Sequence, residues 1–282
     1  MKAGKITYHK ANTLADAVSL AARLAGTSKY MAGGQSLLPM MNLRLAMPEA
    51  VIDISGIASL RESKTVDGKL FIGAGTTNAM LEDGNAPGPL HAYLRHVASR
   101  IAYRSIRNRG TIGGSLAHAD PAGDWPAAML ALDAIAVIYG AKSVRNVPVS
   151  AFQVGLMETC LAQTDILQGV LLPQLSAGAR WGYVKFSHKV GEFAHSIGAV
   201  VLDPGLGLAN AVLGGSGDKP MLLPAVSSRL AAGLTLNDSS GSAFATLVEQ
   251  DIAAVTGHAP ASYEFHLHKT IIIRAVTEAL KK

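Results

Sequence analysis

The chain has 282 residues, of which 49% are hydrophobic and 16% are charged, with a formal net charge of +5 and a single cysteine, Cys160. This composition excludes a disordered chain, because such a sequence can bury ample apolar surface and lacks the high charge of unfoldable chains. The lone cysteine excludes an intramolecular disulfide, a four-cysteine zinc site and an iron–sulfur cluster built by this chain alone.

The first half of the sequence predicts short strands that alternate with helices. Thr13, with Asp16 three residues later, indicates the start of a helix. The dipeptide Asp67-Gly68 lies between Lys64-Thr65-Val66 and Leu70-Phe71-Ile72 and predicts the turn of a β-hairpin. In chain order, the predicted strands are residues 6–9, 29–32, 51–54, 134–139 and 166–172, the hairpin is 65–74, and the helices are 14–24, 37–44, 91–101 and 124–132.

A second unit is predicted after residue 176, because segment 173–178 has the composition of a linker. This unit is predicted to contain strands at 181–187, 197–202 and 208–213, and helices at 242–255 and 262–280. The sequence therefore predicts an α+β fold with a domain of residues 1–176 and a C-terminal domain of residues 177–282. It shows neither an apolar signal segment nor a run long enough to span a membrane, so we expect a cytoplasmic protein.

The common catalytic motifs are absent from the sequence, including the Walker, H-E-x-x-H and G-x-S-x-G patterns. His258, His266 and His268 are close in sequence, but His266 and His268 point about 200° apart on a helix, so we expect solvated histidines rather than metal ligands. Most basic residues are scattered along the sequence, and this scatter disfavours nucleic-acid binding. The exception is a cluster of arginines between Arg95 and Arg109.

Two glycine-rich loops carry the main functional signal. One contains Gly33 and Gly34, and the other contains Gly113 and Gly114. Adjacent glycines let successive backbone N–H groups face one anion, because no Cβ blocks its approach. A diphosphate is the natural ligand, and ordinary strand-to-helix turns are the alternative. A bulky residue at Gly33 or Gly114 is therefore expected to abolish ligand retention while leaving the fold mostly intact.

Three segments together resemble a known family. They are Ala32-Gly33-Gly34-Gln35-Ser36-Leu37, Ile106-Arg107-Asn108-Arg109-Gly110-Thr111-Ile112-Gly113-Gly114-Ser115 and Ala119-Asp120-Pro121-Ala122-Gly123-Asp124-Trp125-Pro126-Ala127. They resemble the FAD-binding medium subunit of molybdenum hydroxylases, the carbon monoxide dehydrogenase and xanthine dehydrogenase family. The resemblance implies a PCMH-type (vanillyl-alcohol-oxidase-like) FAD-binding fold of two α+β subdomains, followed by a smaller C-terminal α+β domain.

The resemblance also implies which residues surround the FAD diphosphate. Asp120, in the third segment, belongs to this cofactor-binding set. The residues that wrap the diphosphate are Ala32, Gly33, Gly34, Gln35, Ser36 and Leu37 from the first loop, and Thr111, Ile112, Gly113, Gly114 and Ser115 from the second.

Four further residues are assigned by the same resemblance. Asp124 binds FAD through its carboxylate, and Leu167 packs against the cofactor. Lys185 lies near the polar edge of the flavin ring, where a cation favours the reduced, anionic flavin, and Phe193 lies close to the isoalloxazine face. The residues alone also fit Asp124 as a helix N-cap, Lys185 as an exposed strand lysine and Phe193 as core packing. The family's usual Arg-x-Gly-Asp is replaced here by Lys189-Val190-Gly191-Glu192, which alters the ring-side contacts.

The function implied by the resemblance is electron transfer within a heterotrimer. A small subunit with two [2Fe–2S] clusters and a large molybdopterin subunit are the expected partners, in a dimer of heterotrimers, and FAD is the cofactor of this chain. The single cysteine agrees, since the clusters must then lie on another chain. The alternatives are a stand-alone FAD-dependent oxidase or dehydrogenase and, more remotely, a non-enzymatic nucleotide- or nucleic-acid-binding module.

Overall fold

Three main β-sheets and the helices packed on them form the part of the chain that the structure, a computed structural model, describes: residues 2–24 and 26–282. The strands are β1 (Thr7–Lys10), β2 (Ser28–Met31), β3 (Ala50–Asp53), β4 (Ser63–Val66), β5 (Lys69–Gly73), β6 (Ile135–Tyr139), β7 (Val144–Pro148), β8 (Gln153–Gly155), β9 (Glu158–Thr159), β10 (Ile166–Pro173), β11 (Arg180–Phe186), β12 (Ser196–Asp203), β13 (Leu208–Gly214) and β14 (Met221–Leu222). The helices are α1 (Leu14–Arg23), α2 (Leu37–Asn42), α3 (Asn78–Glu82), α4 (Pro89–Ser99), α5 (Arg104–Arg107), α6 (Ile112–His118), α7 (Asp124–Ala131), α8 (Val149–Phe152), α9 (Pro224–Ala231), α10 (Ser242–Thr256) and α11 (Tyr263–Lys281).

The sheets follow one another along the chain. The first is parallel, with strand order β1-β3-β2, and the second is antiparallel, with order β4-β5-β10-β6-β7. The third is an antiparallel sheet of β11-β12-β13-β14, covered by the C-terminal helices. This arrangement of separate sheets with helices packed beside them confirms the predicted α+β class.

Local sequence signals account for several elements. The Thr13 hydroxyl accepts a hydrogen bond from the Asp16 backbone N–H at 3.0 Å and caps α1, as predicted. Asp67 and Gly68 have φ values of +48° and +74°, the pair of left-handed residues that a two-residue hairpin turn requires. Helices α10 and α11 lie where they were predicted. Among the described residues, no helix is both long and apolar enough to cross a membrane.

The sequence prediction differs from the structure in several places, two of which concern short helices. The segment 110–115 was expected to be a loop, but most of it is the first turn of α6. Helix α9 was not predicted, although Pro224 occupies its first position. Proline is favoured there because the N–H that it lacks would have no acceptor within the helix. Both are short helices whose formation depends on contacts with distant parts of the chain.

The third sheet is buried on both faces. All eight residues of β12 are buried, which explains why its central residues 197–202 form a continuous apolar run. Ile197, Ala199 and Val201 pack into the core shared with α7, while Val200 packs into a second core with α11. Helix α11 can approach β11 closely because Gly182 has no Cβ. A Cβ at this position would overlap a carbonyl oxygen of the helix.

Buried Asp203 ties the predicted linker to the third sheet. Its carboxylate accepts hydrogen bonds from the Ser176 N–H at 2.6 Å, the Ser176 hydroxyl at 2.7 Å and the Gly205 N–H at 3.0 Å. Burial opposes ionisation of Asp203, but these hydrogen bonds outweigh it and lower the pKa of the carboxyl. The turn Asp203-Pro204-Gly205 thus has a structural role. The domain boundary near residue 176 stays a prediction.

The expectation of solvated histidines is wrong for His268. This residue is 2% exposed, and its Nδ1 atom lies 2.8 Å from the hydroxyl of buried Ser196. His266 is exposed on the same helix, as expected, and the His258 ring lies 5.5 Å from that of His268. Burial, with a smaller contribution from His258, lowers the pKa of His268 to about 4. The described residues contain no group of three or more His, Cys, Asp or Glu side chains suited to a metal ion.

We predict that His268 makes the protein less stable as the pH falls from about 6.5 towards about 4. In this window the unfolded chain binds a proton at His268 that the folded chain resists, so the free energy of unfolding decreases. The variant His268→Asn keeps a polar partner for Ser196 but does not titrate, so its loss of stability over the window should be smaller. Urea unfolding at several pH values measures the difference, with exposed His266→Asn as the matched control. An equal pH dependence in wild type and His268→Asn would contradict the prediction.

Candidate functional site

The first glycine loop, residues 32–36, joins β2 to α2, whose first residue is Leu37. Gly34 has a φ of +71°, a left-handed value that glycine adopts at no steric cost. The backbone N–H groups of Gly33, Gly34, Gln35 and Ser36 donate to no acceptor in the described chain. Consecutive free N–H groups on one turn form a concavity that binds anions. The loop therefore offers the row of donors that the sequence predicted.

The second glycine loop, residues 110–115, is built differently. Thr111 is the N-cap of α6, and its hydroxyl accepts a hydrogen bond from the Gly114 N–H at 3.0 Å. The Gly113 N–H donates to the Ala74 carbonyl at 2.9 Å. The fold therefore already uses both of these N–H groups, and this loop does not present a second row of free donors.

The structure brings the two loops together. Gly33 lies against the Arg109 carbonyl so closely that a Cβ at Gly33 would overlap its oxygen. A Cβ at Gly110 would lie 3.8 Å from Cγ of Gln35, and one at Gly114 would lie 3.9 Å from Cβ of Ala32. Residues about 80 positions apart in sequence thus form one surface, with the free donors on the first loop and the second loop as its neighbour.

This contact corrects one expectation about the glycines. A bulky residue at Gly33 cannot leave the fold intact, because it would push the second loop away from the first. Gly114 is less crowded, since the nearest atom to a Cβ there is the Thr111 hydroxyl at 2.9 Å. Gly33 is therefore first a packing position, and its replacement does not test ligand binding alone.

Asp124 and Lys185 form a buried ion pair beside these loops. Asp124 is the first residue of α7, and Lys185 lies on β11; their side chains are only 7% and 9% exposed. The Lys185 ammonium lies 2.9 Å and 3.0 Å from the two carboxylate oxygens, and it also donates to the Arg100 carbonyl at 3.1 Å. The Tyr183 hydroxyl donates to the carboxylate at 2.7 Å. Asp124 is therefore not the N-cap, which is Gly123, and Lys185 is not an exposed strand lysine.

The electrostatics of this pair follow from its burial. Burial raises the pKa of the Asp124 carboxyl, against the opposing effects of the Lys185 ammonium and the Tyr183 hydrogen bond. Burial, together with the neighbouring Asp124, also raises the pKa of Tyr183 well above its usual range, so this hydroxyl remains a donor. The three side chains thus form a fixed polar cluster that joins α7 to the third sheet.

The remaining predicted site residues have distinct surroundings. Asp120 accepts a hydrogen bond from the Ala122 N–H at 2.9 Å and shapes the turn that leads to α7. Leu167 is 5% exposed in the core, at an irregularity in the pairing of β10 with β6. Phe193 is 61% exposed, so it is not core packing. In the segment that carries Phe193, Gly191 packs on the ring of Tyr103, just before α5.

The arginine cluster noted in the sequence is largely engaged within the protein. Arg107 donates to both carboxylate oxygens of Glu82 at 2.8 Å, and these hydrogen bonds lower the pKa of Glu82. Arg104 forms ion pairs with Glu82 and Asp83, and Arg95 donates to two backbone carbonyls. These contacts join α3 to α5 and fix the chain that enters the second glycine loop. They also leave these arginines poorly placed to contact a nucleic acid.

Two polar residues at the site were missed by the sequence reasoning. Tyr183 precedes Lys185 by two residues on one strand and so shares its face, a signal that was available. Asn78 is 4% exposed at the start of α3; its side chain accepts a hydrogen bond from the Trp125 indole N–H at 2.8 Å, and its backbone N–H donates to the Gly110 carbonyl at 2.9 Å. No periodic pattern in the sequence marks Asn78.

Comparison with known proteins places this geometry in a family. Residues 4–175 match the family described as "FAD binding domain in molybdopterin dehydrogenase". The chain is 36% identical over 198 residues to the carbon monoxide dehydrogenase medium chain of Hydrogenophaga pseudoflava, covering 70% of this chain and 69% of that protein. It is 31% identical to the nicotine 6-hydroxylase medium subunit of Paenarthrobacter nicotinovorans, over 99% of both chains.

Solved structures agree with the sequence relatives. Reconstituted CO dehydrogenase from Oligotropha carboxidovorans contains a chain that matches with a TM-score of 0.90 and 30% identity, covering 100% of this chain and 99% of that one. The PCMH-type fold predicted from the sequence is confirmed by this match and by the family match. The chain belongs to the family of FAD-binding domains of molybdopterin dehydrogenases.

Proposed function

We propose that this chain is the FAD-binding electron-transfer subunit of a heterotrimeric molybdenum hydroxylase. It takes electrons from the [2Fe–2S] clusters of a partner subunit and passes them to an external acceptor. The observation that carries the proposal is the row of free N–H groups in the first glycine loop, bordered by the second. Relatives named as medium chains or subunits of carbon monoxide dehydrogenase and nicotine 6-hydroxylase support it.

The residues at the two loops fit an FAD diphosphate. Four consecutive backbone N–H groups from Gly33 to Ser36 lack a partner in the described chain, and they match the hydrogen-bond acceptors of a diphosphate. Asp120 supports this surface through the turn that it shapes. The residues proposed to contact the diphosphate are Ala32, Gly33, Gly34, Gln35, Ser36, Leu37, Thr111, Ile112, Gly113, Gly114 and Ser115.

The polar cluster next to the loops is proposed to act towards the flavin end of the cofactor. When bound, FAD supplies a redox centre that accepts and releases electrons. Asp124 holds the Lys185 ammonium in one place, and its carboxylate has lone pairs left for a further donor. Leu167 provides an apolar contact, and exposed Phe193 supplies an aromatic face.

The proposed assembly places the other cofactors on other chains. The small subunit carries the [2Fe–2S] clusters and the large subunit carries molybdopterin, in a dimer of heterotrimers located in the cytoplasm. A run of exposed apolar side chains directly after the first glycine loop supports a partner surface; it consists of Leu38, Leu43, Leu45 and Met47. Within this chain, residues 1–176 form the proposed FAD-binding domain and residues 177–282 the C-terminal domain.

Purification of the native protein tests this function. We expect the chain to carry the visible absorption of a flavin, and to co-purify with an iron–sulfur chain and a molybdenum-containing chain. A flavin-containing chain that oxidises a substrate without partners would instead support the stand-alone oxidase. A colourless chain that does not take up added FAD would contradict both.

We predict that Ser36→Asp weakens FAD binding at least about tenfold, equivalent to about 1.4 kcal/mol. The substitution introduces a negative charge next to the free N–H groups, where it repels a diphosphate. Titration of the FAD-free full chain, followed by flavin fluorescence, measures the change.

Ser36→Asn is the matched control, because asparagine has the shape of aspartate without its charge. It should bind FAD nearly as tightly as wild type, and both variants should keep the thermal stability of wild type, since Ser36 makes no side-chain cap hydrogen bond. Equal affinities for the two variants would show that the diphosphate does not lie at this loop.

Comparison of a single and a double variant separates the structural and binding roles of the Asp124–Lys185 ion pair. Asp124→Asn leaves a buried ammonium without its counter-charge, so we expect a loss of about 3–5 kcal/mol in the free energy of unfolding. The double variant Asp124→Asn/Lys185→Met removes both charges and should recover most of this stability. It should still bind FAD more weakly than wild type, because the ammonium is gone. Urea unfolding and FAD titration measure the two effects, and wild-type affinity in the double variant would restrict the pair to a structural role.

A further inference from the structure

We propose that Asn78 is a further cofactor-binding residue, whose side-chain NH₂ group donates a hydrogen bond to a phosphate oxygen of FAD. This inference rests on the function proposed above. Asn78 lies at the start of α3 and is 4% exposed, so nearly all of its polar surface must find partners within the protein or in a ligand.

The orientation of the Asn78 amide is fixed by Trp125. The indole N–H can only donate, so the atom that it meets at 2.8 Å is the carbonyl oxygen Oδ1 of Asn78. Trp125 is completely buried and follows Asp124 on α7, so it has little freedom to move. The NH₂ group, Nδ2, must therefore point away from Trp125.

The NH₂ group points to the place where the two glycine loops meet. Nδ2 lies 3.2 Å from the position that a Cβ would take at Gly110, and Cγ of Gln35 lies 3.8 Å from the same position. The backbone N–H of Asn78 holds the Gly110 carbonyl at 2.9 Å and so keeps the residue at this junction.

Nothing in the described chain accepts a hydrogen bond from this NH₂ group. The NH₂ group of Asn78 is also not fully enclosed by the protein. Among the described residues, the fully enclosed side-chain atoms that lack a hydrogen-bond partner belong to Thr76 and Gln153. A buried donor that opens towards a ligand surface and has no protein partner is satisfied by an acceptor on the ligand. Because the free N–H groups of the first glycine loop border the same junction, that acceptor is an oxygen of the diphosphate.

Binding of three probes to the FAD-free full chain tests the proposal. FAD and ADP contain the diphosphate, whereas riboflavin contains only the ring and its side chain. Asn78→Asp retains an acceptor for Trp125 but replaces the donor with a negative charge. We expect it to weaken FAD and ADP binding by at least about tenfold and to leave riboflavin binding unchanged.

Two further variants separate this role from a structural one. Asn78→Ala removes the donor without adding charge and should also weaken FAD and ADP binding, but not riboflavin binding. Trp125→Phe removes the indole N–H that orients the amide and should give a smaller loss with the same selectivity. Thermal unfolding of each full-length variant shows whether the fold is kept.

The outcomes distinguish this proposal from the function on which it rests. If wild type does not bind FAD, the proposed function fails. If wild type binds FAD, and both Asn78 variants bind FAD and ADP as tightly as wild type does, only the role of Asn78 is overturned. If riboflavin binding falls as much as FAD binding, the contact is with the ring and the assignment to the phosphate is overturned.

Discussion

The site depends on one steric constraint, the contact between Gly33 and the Arg109 carbonyl. No side chain fits between them, so the two glycine loops lie against each other only when glycine occupies position 33. Hydrogen bonds on both sides hold the second loop at this distance: Arg107 ties α5 to Glu82, and the Asn78 N–H ties Gly110 to α3. The free N–H groups of the first loop are therefore presented beside a rigid neighbour. An anion that binds there meets donors whose positions were set when the chain folded.

The Asp124–Lys185 pair links this surface to the third sheet, and its value lies in position rather than in stability. A buried ion pair gains little net free energy, because the removal of two charges from water offsets most of their attraction. What it achieves is a fixed ammonium, held by both carboxylate oxygens and by the Arg100 carbonyl. Since Tyr183 and Lys185 lie on the same face of β11, the strand that carries the cation is also anchored to α7 by a second hydrogen bond. This packing extends the core continuously from α7 into the third sheet.

Sequence reasoning succeeded where the signal was local. The Asp-Gly turn and the Thr13 cap depend on residues within one turn, and both are present in the structure. It failed where one residue type serves two purposes. Gly33 has the same sequence signature whether glycine is needed for anion access or for close packing, and only the position of Arg109 shows that packing demands it. For His268, the spacing to Phe265 and Ile272 places it on the apolar face of α11, so its burial was readable from helical periodicity. The role proposed for Asn78 was not readable, because its partners Trp125 and Gly110 are distant in sequence.

The chemistry of the place where the two glycine loops meet also explains why the net charge of the chain was a weak guide to its ligand. Arg104 and Arg107 lie close in sequence to the second glycine loop, yet both are paired with Glu82 and so contribute little free positive charge. The donors proposed for the diphosphate are backbone N–H groups and one amide, all neutral. Such donors have almost no side-chain freedom to lose on binding, whereas an arginine must be immobilised. The proposed recognition of the diphosphate therefore depends on the shape of the two loops, and that shape depends on Gly33.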